Sequence, residues 1–131
     1  MSLFGKKYII MRCWYPIPVS FLDNEALLGE HREIPTMLKS LSGLIKGWKY
    51  HPETKRWLGH TKALRTRHDQ IASEMVLRGM NHNSPIPENY VVQTDSKDFT
   101  LKLVEPLEVM YEKLNEKKKY RLYRKLFKLL K

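Results

Sequence analysis

Between Asp23 and Leu44 apolar residues recur at helical spacing, and this stretch limits more than any other what the chain can become. At 3.6 residues per turn Leu27, His31, Ile34, Leu38, Leu41 and Ile45 share one stripe, while Glu25, Gly29, Arg32, Glu33, Thr36 and Ser40 share the opposite face. Such a helix needs its apolar stripe packed and its polar face in water or against a ligand. Asp23 stands where an N-cap belongs, with Ser20 just upstream, and Ser42-Gly43 offers a stop. Pro35 lies well inside the helix. Lacking an N–H, it cannot bond the carbonyl of His31 and should kink the helix at a cost of about 3 kcal/mol.

Two further segments carry helical periodicity. One runs from about Thr54 to Arg78, with Trp57, Leu64, His68, Ile71 and Met75 on one stripe and Gly79 as its C-cap; His68 there reads as a packed or hydrogen-bonded histidine. The other runs from about Pro106 to Leu130, with Pro106 tolerated in the first turn. Asn81 to Pro87, rich in Asn, Ser and Pro, reads as a loop. Asn89 to Thr94 could form a short strand, but it has nothing obvious to pair with. The connector Lys46–Pro52 mixes positive and aromatic side chains; Trp48 and Tyr50 suit a phosphate backbone or a base, and equally suit capping the core. With no internal repeat or low-complexity linker, the expected fold is all-α, a compact single domain of three main helices with irregular connecting loops.

Composition narrows the function classes. A chain of 131 residues, 42% of them hydrophobic, is one domain's length with enough apolar material for a core. The lone Cys13 excludes an internal disulfide and any multi-cysteine zinc site. No apolar run approaches the roughly 20 residues of a membrane span, and Met1–Ile10 is too short for a signal peptide, so a soluble cytoplasmic protein is expected. Twenty-four Lys and Arg against 14 Asp and Glu give +10. Nine of those 24 fall between Lys113 and Lys131, opposed only by Glu116, which points to a polyanionic partner. Tyr120, Tyr123 and Phe127, interleaved with Lys119, Arg121, Arg124 and Lys125, favour nucleic acid over a merely basic surface. The same segment also has the form of a basic amphipathic helix that lies on anionic membranes or binds a partner. Leu122, Leu126 and Leu129 are read more simply as the stripe that docks this helix.

Common catalytic constellations are missing from the sequence. No histidine pair has the spacing zinc hydrolases use, there is no glycine-rich phosphate loop, no serine sits in a nucleophile motif, and the carboxylates are dispersed. Chemistry without a metal or cofactor is expected. Arg32 beside Glu33 can hold a phosphate and do acid/base work, with small Gly29 and Thr36 leaving room for a ligand, although pattern alone favours a plain solvated face.

The segment LLGEHREIP at 27–35, followed by LRTRHDQIASEMVLRGMN at 64–81 and EKLNEKKKYRLYRK at 112–125, resembles the pyrimidine-dimer DNA glycosylases of the phage endonuclease V type in order and spacing. That resemblance implies a compact, mostly helical domain. It also implies a mechanism in which the free α-amine at the start of the chain attacks the sugar C1′ of the damaged nucleotide and expels the base, and elimination from the Schiff base cuts the strand. The glutamate matching Glu33 stabilises the developing positive charge, and the arginine matching Arg32 holds a phosphate. Lys113 and Lys117 match basic residues on the DNA backbone, and Tyr120–Tyr123 stands where the family has an aromatic-basic stretch at the lesion. The implied partner is double-stranded DNA containing a lesion, with no membrane involved and the protein a monomer.

The amine-bearing position aligns with Arg12, preceded by Met11, so residues 1–10 are expected to be an extension or leader and 11–131 the domain. Thr36 stands where the phage enzyme has a basic residue. The alternatives are a non-catalytic duplex-DNA-binding protein of the same fold, or a basic membrane- or partner-binding domain.

Overall fold

The computed structural model describes residues 13–45, 51–81, 86–90 and 103–130. Four α-helices, α1 (Asn24–Leu41), α2 (Pro52–Lys55), α3 (Thr61–Leu77) and α4 (Leu107–Leu129), are joined by irregular segments with 3-10 turns at Val19–Phe21 and Glu88–Tyr90. No strand occurs among the described residues, so the fold is all-α. Trp48 and Tyr50, and the stretch from Val91 to Thr94, lie outside the described residues.

Helix α1 begins where its cap dictates: Asp23 Oδ1 accepts from the N–H of Ala26 at 3.2 Å. It runs through Pro35 and ends at Leu41, three residues short of the expected Leu44. The reason is a Schellman closure, with Gly43 at φ +79° and the N–H of Leu44 bonded to the carbonyl of Lys39 at 2.9 Å. The same closure ends α3, where Gly79 has φ +80° and Met80 N–H reaches the carbonyl of Met75 at 2.8 Å, as its position after Arg78 predicts.

The expected single helix over 54–78 is two pieces. The short α2 stops at Lys55, Gly59 takes φ +82°, and α3 restarts at Thr61. Trp57 nevertheless stays 1% exposed and shares the core with Leu64, Ile71 and Met75, because the intervening turn returns its side chain to the same side. That preserved periodicity is why the break is invisible to a helical count.

The core lies between α1 and α3 and is closed by the segment before α1. Leu27, Ile34, Met37 and Leu38 meet Leu64, Ile71 and Met75, with Cys13, Trp14, Ile17 and Leu22 beneath them. His68 is buried, and its ring stacks on His31 at 4.8 Å between centroids. Helix α4 adds Met110 and Leu114 to the core, and Tyr111 meets the edge of Phe21 at 5.3 Å. Its second half does not dock as expected. Leu122, Leu126 and Leu129 are 57%, 46% and 80% exposed, because α4 turns its arginines, not its leucines, toward α1 in this half.

Candidate active site

The polar side of α1 faces α4 across a cleft of about 440 Å³, walled by Trp14, Glu25, Gly29, Glu30, Arg32, Glu33, Lys117 and Arg121. Glu33 stands there with 27% of its side chain exposed, more enclosed than a solvated helix face. Burial pushes its carboxyl above the ordinary range, and the nearby Arg32 guanidinium works in the opposite direction. Arg32 Nε is 3.9 Å from Glu33 Oε1, and its side chain is 76% exposed, so the guanidinium is open to an anionic ligand. The arrangement sets a carboxyl that holds its proton more readily than an ordinary glutamate beside an exposed guanidinium at the same mouth.

A second groove continues along α4, walled by Lys113, Glu116, Lys117, Tyr120, Arg121 and Arg124 and sharing Glu25, Lys117 and Arg121 with the first. Arg121 is held by α1: it pairs with the capping Asp23, and its Nε lies 2.8 Å from Glu25 Oε2. Arg124 Nη2 pairs with Glu25 Oε1 at 2.9 Å, and its guanidinium sits 5.6 Å from the Tyr120 ring. Lys117 Nζ lies 5.7 Å from the ring of Trp14, and Lys113 pairs with Glu105. Seven of the expected residues are thereby gathered: Arg32, Glu33, Lys113, Lys117, Tyr120, Arg121 and Arg124. Lys119 and Tyr123 are exposed and wall neither groove, while Met11 and Arg12 lie outside the described residues.

The profile of a family described as pyrimidine dimer DNA glycosylase matches residues 11–88. The chain belongs to that family. Comparison with curated proteins and with solved structures returned no match. The family match takes in α1, α2, α3 and Glu33, and stops before α4, so the glycosylase signature rests on one wall of the cleft and the basic groove of α4 lies beyond it.

Sequence reasoning missed the residues beneath this cleft. Glu30 is 1% exposed and pairs with Arg67 of α3, itself 3% exposed. Burial opposes the charge on Arg67, but the hydrogen bond and charge of Glu30 outweigh it and hold the guanidinium above its ordinary value. Cys13, packed beside Glu30, has its thiol pushed up by burial and then by that carboxylate. A usable signal existed: Glu30 is three residues after Leu27 and four before Ile34, and Arg67 sits likewise between Leu64 and Ile71, so both charges lie on buried stripes.

Proposed function

We propose that this chain is a DNA repair glycosylase with apurinic/apyrimidinic lyase activity on pyrimidine dimers in duplex DNA, working through an amine Schiff base assisted by Glu33. The observation that carries the reading is the partly buried Glu33 in a cleft that is also walled by Trp14, two residues after Arg12 in the chain. Residues 1–10 are an extension or leader, and the domain begins at Met11, where the family match also begins.

In the reaction, the neutral α-amine of Arg12, or of Met11, in protein processed to begin there, gives its lone pair to C1′ of the damaged nucleotide. The C1′–N bond breaks, and the base leaves with that electron pair and takes up a proton. The sugar ring opens to an iminium joining the amine nitrogen to C1′. Loss of the C2′ proton expels the 3′ phosphate, and water then hydrolyses the iminium and returns the amine. An α-amine suits this work, since its pKa of roughly 7.7–8.0 leaves a neutral fraction that a lysine near 10.4 lacks. Ionised Glu33 stabilises the positive charge on the sugar and iminium and moves protons between steps. Arg32 and Lys117 hold phosphates on either side of the cleft. Lys113, Tyr120, Arg121 and Arg124 extend the duplex contact along α4, with Lys119 and Tyr123 reaching flanking DNA. Bringing the damaged nucleotide to Glu33 costs a few kcal/mol of unstacking, least at a lesion.

Borohydride is expected to trap a protein–DNA adduct on duplex carrying an abasic site or a cyclobutane dimer, with chelator present, and peptide mass mapping is expected to locate it at residue 11 or 12 of processed protein. Binding without any adduct would overturn the catalytic reading in favour of a non-catalytic duplex-binding protein. An adduct on Lys6 or Lys7 of the full chain would assign the amine to a side chain instead.

A further inference from the structure

Two buried ion pairs converge on one short piece of chain. Glu30 Oε1 accepts from the N–H of Trp14 at 2.8 Å, and its Oε2 from the thiol of Cys13 at 3.4 Å. Arg67, bonded to Glu30, also donates to the carbonyl of Ile17 at 2.7 Å. From the α2 side, Arg56 pairs with Glu53 at 2.8 Å and donates the same nitrogen to the carbonyls of Cys13 at 3.0 Å and Tyr15 at 2.9 Å. Both partners of each pair have side chains no more than 4% exposed.

Buried ion pairs are a poor way to gain stability, because desolvation cancels most of the attraction and apolar residues of similar volume serve as well. What these pairs add is directional: rigid guanidinium forks that tie helices α1 and α3 and the end of α2 to named backbone atoms of Cys13–Ile17. That segment supplies Trp14 to the wall of the cleft in which Glu33 stands, and Arg12 immediately precedes it. We infer that Glu30, Arg67 and Arg56 are positioning residues that clamp Cys13–Ile17 and so set the approach of the attacking amine to the sugar beside Glu33. The inference rests on the amine mechanism proposed above.

The test uses Arg67→Lys and Arg56→Lys, which keep a positive charge for Glu30 and Glu53 but replace the planar fork. Single-turnover borohydride trapping on abasic-site duplex is measured with DNA affinity and thermal melting on the same preparations. The clamp requires that folded variants bind DNA within about threefold of the parent and trap it about 10- to 100-fold more slowly, in line with the cost of an ångström-scale misplacement. The midpoint of the pH–rate profile should stay where it is, since Glu33 and the amine are untouched. A merely structural role would lower the melting temperature and the trapped fraction while leaving the rate constant of the folded protein at the parental value, and that result in Arg56→Lys overturns the clamp. Should Arg67→Lys not fold, Arg56→Lys decides alone, because its carboxylate partner Glu53 belongs to the four-residue α2 rather than to α1 or α3. A parent that binds DNA and traps nothing would bring down the amine mechanism; a parent that traps, alongside variants that trap equally fast, would bring down the clamp only.

Discussion

Helix α1 pairs its carboxylates on two sides with different outcomes. Toward α3, Glu30 is sealed from water and bound by Arg67; toward α4, Glu25 and Asp23 hold Arg121 at the edge of an open cleft, and Glu33 stands in that cleft without a cation closer than 3.9 Å among its described ion pairs. A charge pair fixed inside the core positions the chain, whereas charges at a wet cleft remain exchangeable for a ligand. The same helix therefore sets a sealed carboxylate, Glu30, and an open one, Glu33, three residues apart, less than one turn.

The largest expected effect tests the sealed side. Arg67→Ala leaves Glu30 buried without its ion-pair partner and should cost about 3–5 kcal/mol in denaturant unfolding. A loss below about 1 kcal/mol would mean that water reaches Glu30 and that the two sides of α1 are alike. On the open side, Arg121→Ala removes two partly exposed pairs, with Asp23 and Glu25, and should cost no more than about 1 kcal/mol for each. Replacing Lys113 and Lys117 together with alanine should leave stability nearly unchanged and lower the log–log salt slope of DNA binding by about two units, at roughly 0.9 per phosphate. Damaged and undamaged duplex should be affected alike, because backbone contacts position the protein and do not read the lesion.

The smallest effect concerns the proton on Glu33. Its carboxyl is raised, so the folded chain holds that proton better than the unfolded chain does. The resulting stabilisation is present below the ordinary glutamate value and is lost as pH rises through the raised one, leaving the ionised, partly desolvated carboxylate a slight cost at neutral pH. Glu33→Gln should therefore match or slightly exceed the parent in stability at pH 7, within about 0.5 kcal/mol, and the difference should vanish in acid. A marked destabilisation would move Glu33 to the structural side of the comparison.

Periodicity made α1, its Asp23 cap and the Gly79 stop legible, because these are local: a cap and a left-handed glycine act within one turn of themselves. It read Trp57, Leu64, His68, Ile71 and Met75 correctly as one buried stripe while missing the break at Gly59, since a tight turn that returns the next helix to the same side preserves the count. For α4 it identified an amphipathic helix without saying how far its partner extends, and the apolar side past Leu114 stays exposed. Glu33 was legible as a polar-face residue, but its enclosure depends on Lys117 and Arg121, which arrive from more than 80 positions away. The Glu30–Arg67 pair was hidden for the same reason. Spacing places each charge on the buried stripe of its own helix, but only the meeting of α1 with α3 makes them a pair.

The most direct measurement of the central claim is single-turnover strand cleavage of a cyclobutane-dimer duplex by parent and Glu33→Gln, with binding to the same duplex measured in parallel. The account requires unchanged affinity and a cleavage rate at least about a hundredfold lower, with the variant's acid limb reduced to the single step that protonation of the amine itself imposes. Cleavage at the parental rate by a variant that binds normally would contradict it and remove Glu33 from the chemistry.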